Sequence, residues 1–405
     1  SFNASNLYVT ASSTTYDTVN YTNSSDGGTS WEPEIQINTT SKVKGYSSIT
    51  VDDKGYPWIF WQEYNTQASF TNYNIIFRRF NGTHWLPLNG FYELTADNLN
   101  NRLPNTNVFF GKDRIDLVWV RGSSAPYEIV YSYASPKCDK YISPEQFPYH
   151  IDQNNTYYCL SATSQDYNYS GSYAIIFDPN VKNSTLDCFG YTIDGIGGSN
   201  TYGIYFNQTL EGNLVKNCIV KDFDYGIFLY YSDNNTLFNL TVLNSPRIGI
   251  DLSSSNNNNL TNIKIEISGA AGGSVSLSSS DNNILSNLTI NHSKSHGIQL
   301  GLLDNNIIRY SRIENSEGYG IYLNGYCDGN IIDSNYIINA SETGIRIYNQ
   351  NEGNKIWNNF ISNVTSEYNA YGIYVLPGYD NFYTEMVNNT IVHISSKSSS
   401  SHGYG

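Results

Sequence analysis

Gly297-Ile298-Gln299-Leu300, Gly320-Ile321-Tyr322-Leu323, Gly344-Ile345-Arg346-Ile347 and Gly372-Ile373-Tyr374-Val375 are four copies of one motif: glycine, isoleucine, a variable residue and a hydrophobic residue. Their glycines lie 23, 24 and 28 positions apart. Upstream the motif begins again at Gly203, Gly226 and Gly249, and a degenerate copy, Gly-Ser-Val-Ser-Leu from Gly273, fills the gap. A second marker, Asn before a short apolar pair, keeps step with it at Asn213, Asn235, Asn283, Asn306, Asn330, Asn354 and Asn381. Asn258 or Asn259 holds the remaining place. Repetition at a fixed period of roughly 20 to 50 residues means one structural unit stacked on itself.

Each period carries three brief apolar stretches, for example Ile284-Leu285, Leu288 to Ile290 and Ile298 to Leu300, separated by Asn, Asp, Ser and Gly. That pattern specifies short strands with bends between them. One coil cannot bury its apolar side, but coils stacked at the ~4.8 Å strand spacing bury a continuous column and pair every backbone group with the coils above and below. Asn suits the bends because it tolerates the left-handed region, and stacked amides hydrogen-bond along the axis. Glycine before each Ile is expected to supply a sharp corner. A helical repeat would show a 3.6 period, which is missing. From about Cys138 onward the chain reads as a single-stranded parallel β-helix with coils of roughly 23 residues.

These residues resemble the right-handed parallel β-helix repeat family of archaeal and bacterial surface proteins, periplasmic copper-accessory proteins and carbohydrate-active enzymes. Tyr157 to Leu160, followed by Ser184 to Gly195, looks like the opening coils of archaeal members. The resemblance covers residues 137–405 and implies the fold. It implies little about function, because the family hosts hydrolases, lyases and inert scaffolds.

The first 136 residues carry another period. Ser24-Ser25-Asp26-Gly27-Gly28-Thr29-Ser30-Trp31 resembles the Asp-box of sialidase-like β-propellers, with Ser30 in place of a Thr. Asn81-Gly82-Thr83-His84-Trp85 repeats the aromatic closure without the Asp. Trp31 to Trp85 and Trp61 to Trp119 span 54 and 58 residues, the length of a four-stranded blade. The resemblance implies two to three antiparallel, propeller-like blades. A ring needs about four to eight blades, so the propeller is expected to be incomplete.

Only 14% of residues are charged, whereas Tyr contributes 36 residues and Asn and Ser run in tracts. Solubility therefore rests on amides, hydroxyls or attached glycans. A net charge of -14 argues against nucleic-acid and anionic-membrane partners. No run of apolar residues is long enough to cross a bilayer, and the first residues lack a signal peptide's basic and apolar regions, as in a mature or trimmed secreted chain. N-x-S/T sequons point to the same compartment: Asn3, Asn20, Asn23, Asn38, Asn81, Asn154, Asn168, Asn183, Asn207, Asn234, Asn259, Asn291, Asn339, Asn363 and Asn388 are candidate glycosylation sites. Asn239 and Asn287 are also sequons, but stacking at ladder bends is expected to lower their occupancy. Five cysteines permit two disulfides and leave one thiol. Cys138 with Cys159 brackets a Pro-containing junction and is the first candidate. Cys188 and Cys218, at matching places in adjacent coils, are either bridged or merely stacked.

Signals for chemistry are faint. A polygalacturonase-like hydrolase would need clustered carboxylates with Gly-His-Gly and Arg-Ile-Lys motifs. His296-Gly297 and Arg346-Ile347-Tyr348 are partial matches expected at corresponding places two coils apart, while one ladder is expected to read Tyr322, Asp251, Gln299 and Arg346 rather than paired acids. Asp233, Asp281, Asp304, Asp328 and Asp380 recur near the Asn bend, where they could line a weak calcium groove but fit turn formation better. One methionine, Met386, and six scattered His give no copper set. Arg78, Arg79, Arg102, Arg114 and Arg121 are too few and too spread for a sialidase site. Trp58, Trp61, Trp85 and Trp119 suit a sugar platform but fit an intersheet core better.

The expectation is an all-β secreted chain, with propeller-like blades over 1–136 and a β-helix over 137–405, and with glycans but no metal or other cofactor. Unfinished β-structure at both ends suggests a homopolymer built by head-to-tail contacts, and hence a structural glycoprotein of a cell-surface filament or layer. The alternative is a carbohydrate-binding adhesin or polysaccharide-degrading enzyme that uses the β-helix face.

Overall fold

A computed structural model of the chain describes residues 7–13, 18–38, 44–52, 55–65, 72–87, 91–95, 100–108, 115–122, 126–134, 137–164, 173–209, 211–270, 272–348, 352–376, 383–397 and 402–405. Among the described residues the chain is all-β apart from one 3-10 turn, Pro144–Gln146. It divides into two compact units, Ser1–Gln146 with Cys159–Ala162, and Phe147–Tyr158 with Thr163–Gly405.

The first unit contains antiparallel sheets of three, five and three strands. The nine-residue strand Pro57–Asn65 is covered on both faces: Trp58, Ile59, Phe60 and Trp61 are all fully buried. Trp58, Phe60 and Phe77 stack with ring centroids 5.0 to 6.3 Å apart. Trp119 is also buried and donates from Nε1 to Asn101 Oδ1 at 2.8 Å. These tryptophans are core, as the blade spacing favoured. Arg78 donates to the carbonyls of Ile37, Trp85 and Pro87, and burial lowers its pKa. Arg79 lies over Trp58, Arg102 lies over Tyr73, and Arg121 pairs with Glu128. Each of these arginines is thus held by groups of the first unit itself, Arg78 and Arg102 by reaching from one sheet to another, and Arg114 lies outside the described residues. In the Ser24 to Ser30 turn, Asp26 accepts the Ser30 amide at 2.9 Å and the Ser30 and Ser24 hydroxyls, which hold its carboxyl well below the usual range. Cys138 and Cys159 are joined, with Cα atoms 5.7 Å apart.

The second unit is a parallel stack. One sheet of eleven strands takes the Gly-Ile strand of every coil, from Tyr149–Ile151 to Gly403–Tyr404. Ile298, Ile321, Ile345 and Ile373 sit one above another in register, each fully buried up to Ile345. The second sheet takes the other two apolar stretches. In the middle coils these fuse into ten-residue strands such as Ile284–Ser293, bent at Asn287 where φ is 55°.

Two expectations need correction. The Gly-Ile glycines are not corners requiring positive φ, since none of them has one. They are required by space: a Cβ on Gly320 would lie 2.4 Å from Ile337 Cγ2 and 2.6 Å from the Gly344 carbonyl, and the other Gly-Ile glycines are similarly crowded. The degenerate coil is also offset by one residue. Ile250 pairs with Val275 and Ile248 with Gly273, so Ser274, not Gly273, takes the glycine slot, where its hydroxyl meets Ser268 at 2.9 Å.

A buried amide rail closes the bend after the Gly-Ile strand. The side-chain oxygens of Asn213, Asn235, Asn258, Asn283, Asn306, Asn330 and Asn354 each accept the backbone N–H of the equivalent residue one coil earlier, at 2.7 to 3.1 Å. All seven are essentially inaccessible, so each rescues an N–H that the bend would otherwise strand. Asn258, not Asn259, belongs to the rail, while Asn381 lies outside the described residues.

Candidate functional site

The outward positions of the eleven-stranded sheet form columns. The variable residue of the motif gives Tyr205, Phe228, Asp251, Ser276, Gln299, Tyr322, Arg346 and Tyr374 in successive coils. The ladder of Asp251, Gln299, Tyr322 and Arg346 expected from the motif is therefore present. The residue before each motif glycine gives a second column, in which Tyr202 pairs with Tyr225, Tyr225 with Ile248 and Ile248 with Gly273. Further along, His296, Tyr319 and Tyr371 occupy the same slot. Inward Ile and Leu flank the variable residue, so pleating sends it to the outer face, while the residue before the glycine lies three positions earlier, separated from it by two consecutive buried residues.

Side-chain size divides this face into three zones. In the first, Tyr202 stacks on Tyr225 at 4.9 Å and Tyr205 on Phe228 at 5.4 Å, the latter pair only 7° from parallel. Arg247 lies 5.1 Å over Tyr225. In the third, His296 stacks on Tyr319 at 4.6 Å and Tyr322 meets both edge-on at 4.9 Å. Arg346 contacts the rings of Tyr319, Tyr322, Tyr348 and Tyr374 at 4.7 to 5.8 Å and hydrogen-bonds the Tyr319 hydroxyl. Between them lie Asp251, Ser253, Gly273, Ser276, Ser278, Gln299 and Gly301, short or flat apart from Gln299, with Ile248 as the apolar member beside Tyr225. From Phe228 to Tyr322 is four coil steps, ~19 Å at the strand spacing. The middle zone is thus a polar depression walled by aromatic rings.

Two titrating groups lie beside it. Burial pushes the Asp251 carboxyl up to about 6, against smaller opposing effects of a Ser276 hydrogen bond and Arg247. Burial, followed by the Arg346 charge, lowers His296 to about 4, and His296 Nδ1 accepts the Tyr319 amide at 3.1 Å. His296 is therefore neutral at pH 7, with its proton on Nε2. His296 and Arg346 do lie two coils apart, but in different columns rather than at corresponding places; Tyr319 joins them. Asp251 is the one carboxylate in the central column among the described residues, and the paired acids of glycoside hydrolysis are not assembled there.

The other candidates have local roles. Asp281 and Asp304 each accept the backbone N–H of the next coil's acidic residue at 2.8 Å, and Asp233 accepts the Asn256 N–H at 2.5 Å, so these carboxylates are turn elements; Asp380 lies outside the described residues. No group of three or more His, Cys, Asp or Glu converges among the described residues. Cys188 and Cys218 are joined with Cα atoms 4.7 Å apart, and Cys327 is buried and takes part in neither disulfide. Among the sequons, the amide nitrogens of Asn183, Asn239, Asn287, Asn339 and Asn388 donate to the Asn of an adjacent coil. Asn38 is buried and accepts the Val19 N–H at 2.7 Å. Asn20, Asn23, Asn207 and Asn291 are half-buried, while Asn81, Asn154, Asn234, Asn259 and Asn363 are exposed; Asn3 and Asn168 lie outside the described residues.

The aromatic columns escaped the sequence reading, although their signal was present. Tyr stands immediately before Gly-Ile at Tyr202, Tyr225, Tyr319 and Tyr371.

Comparison with known proteins agrees with this fold. Residues 262–391 match the right handed beta helix region family, and residues 149–298 match the family described as periplasmic copper-binding protein (NosD). The second unit is accordingly a right-handed β-helix. No curated protein matches the chain. Similar solved structures include the periplasmic alginate epimerase AlgG, at 13% identity and TM-score 0.46, covering 66% of this chain and 85% of that one. The Dettilon tailspike protein matches at 13% identity and TM-score 0.48, covering 64% and 54%. PfbA, a surface adhesin of Streptococcus pneumoniae, matches at 12% identity and TM-score 0.43, covering 64% and 82%. At these identities the likeness concerns the fold alone.

Proposed function

We propose that this protein binds glycans outside the cytoplasm, seating an oligosaccharide across the outer face of its eleven-stranded sheet. The observation that carries the reading is the pairing of Tyr205 with Phe228 and of His296 with Tyr319 as flat, outward stacks on either side of a depression lined by Asp251, Ser276 and Gln299. Aromatic faces pack against the C–H faces of pyranose rings, and the short polar side chains between them supply hydroxyl-directed hydrogen bonds. Two buried disulfides and the sequons support an oxidising compartment. A filament reading draws on how the stack is finished at its ends, and the face supports binding independently of it.

Affinity electrophoresis against immobilised polysaccharides, followed by calorimetry with the retarding glycan, tests the proposal. Phe228→Ala and Tyr322→Ala are each expected to weaken binding on the order of tenfold or more, as loss of one aromatic anchor does at other interfaces. Tyr336→Ala, an exposed ring on the other sheet, should bind as wild type. Equal affinity in all three variants would remove the face from the binding site.

A further inference from the structure

The first unit contains an aromatic cavity of about 450 Å³, within the roughly 300–1,000 Å³ typical of small-ligand pockets. Its walls include Tyr8, Tyr21, Tyr56, Phe80 and Trp85, and one polar side chain on its lining is Asn23, the first residue of the sequon Asn23-Ser24-Ser25. Tyr21 meets Trp85 edge-on at 5.1 Å and Tyr8 lies nearly parallel to Tyr21 at 6.4 Å. Asn23 is two residues beyond Tyr21 on the strand Thr18–Ser24, hence on the same face, and its cross-strand partner is Tyr8 itself. Its amide makes no side-chain hydrogen bond among the described residues. This contrasts with five sequons of the β-helix, Asn183, Asn239, Asn287, Asn339 and Asn388, whose amide nitrogens are taken up by neighbouring coils.

We propose that this cavity is the seat of the chain's own N-linked glycan at Asn23, whose first sugar folds back onto the rings of Tyr21, Tyr8 and Trp85. A sugar joined through the Asn23 amide starts at the cavity wall, so docking is intramolecular and pays little of the association cost a free saccharide meets. The rings offer apolar faces to the sugar's C–H side, and the outer hydroxyls stay in water. Both flanks of the Asn23 strand are paired, by Leu7–Ser13 and Ile35–Gln36, so attachment precedes closure of the sheet. The sugar then acts as part of the first unit's core, rather than as a surface decoration.

The test uses full-length protein made in a glycosylating host. Ser25→Ala removes the sequon without altering any residue of the cavity, and Ser25→Thr restores it. Glycopeptide mapping should place a sugar on Asn23 in the wild type and in Ser25→Thr but not in Ser25→Ala. Hydrogen exchange across residues 18–24 and 80–86 should quicken on the order of fivefold in Ser25→Ala alone, as a locally loosened unit opens more often. An unmodified Asn23 in the wild type overturns the proposal. So does a modified Asn23 whose loss leaves exchange across both segments unchanged.

Discussion

Replacing Asn306 by alanine tests the buried amide rail. In the wild type, Asn306 Oδ1 accepts the Asn283 N–H at 2.8 Å, and Nδ2 donates to the Asp304 carbonyl at 3.0 Å. Its own N–H goes to Asn330 Oδ1 at 2.8 Å, a bond that alanine keeps. The substitution therefore strands one fully buried N–H, leaves one carbonyl short of a donor and opens a small void. A buried group left without its partner costs about 1–3 kcal/mol, so the total is roughly 2–5 kcal/mol once the void is included. Asn306→Leu refills the void yet strands the same N–H, and it should lose nearly as much. Stacked coils unfold in parts, so a single midpoint is a poor readout and amide exchange resolved by coil is the better one. With about 3 kcal/mol lost locally, the Asn283 amide should exchange on the order of a hundredfold faster, with the effect fading over neighbouring coils. Exchange within threefold of wild type would refute the rail as a stabilising element. Full recovery in the leucine variant would show that the asparagine matters by volume rather than by its hydrogen bonds.

Further outcomes follow from the same geometry. Gly320→Ala places a methyl against Ile337 Cγ2 and the Gly344 carbonyl, and thermal melts should show a loss of about 1–3 kcal/mol from overpacking, or more if the backbone cannot shift. For Asp251, whose folded pKa is raised from 3.8 to about 6, the native state holds the proton more tightly, so its contribution to stability falls as pH rises from about 4 to 6. For His296, lowered from 6.5 to about 4, the native state resists protonation, so its contribution falls as pH drops through the same interval from about 6.5 to 4. In urea melts between about pH 4 and 6, Asp251→Asn should therefore gain stability relative to wild type as pH rises and His296→Gln should lose it, and matching profiles for the two variants would contradict the assigned directions. Glycopeptide mapping should find Asn239, Asn287 and Asn38 less occupied than Asn23 or Asn81, because the first two donate along the coil ladder and Asn38 is buried.

The repeat made much of the second unit legible. A period near 23 residues, with apolar stretches too short for helices, leaves few ways to bury Ile298, Ile321 and Ile345 other than stacking them, and the columns of Asn and of motif residues follow from that alone. The Gly-Ile glycine was visible as a constant, but its cause was not. Whether a glycine serves dihedral freedom or close approach depends on what faces it, here an Ile from a strand later in the same coil. His296 and Arg346 were visible as isolated residues, and only the columns showed that Tyr319 links them. In the first unit, aromatic spacing gave antiparallel sheets with a tryptophan core, while strand count and the cavity beside Asn23 rest on contacts distant in sequence.

By itself, then, the sequence determined the β-helix, its period, the inward Ile and Leu columns and the amide rail, because in a repeat the same local rule is written once per coil and each copy reads the others. Tertiary structure alone decided the one-residue offset at Gly273, the choice of Asn258, and the division of the outer face into two aromatic walls and a polar floor. Outward positions carry no burial constraint. Their identities are free to vary from coil to coil, and their meaning appears only when register sets each beside its neighbours.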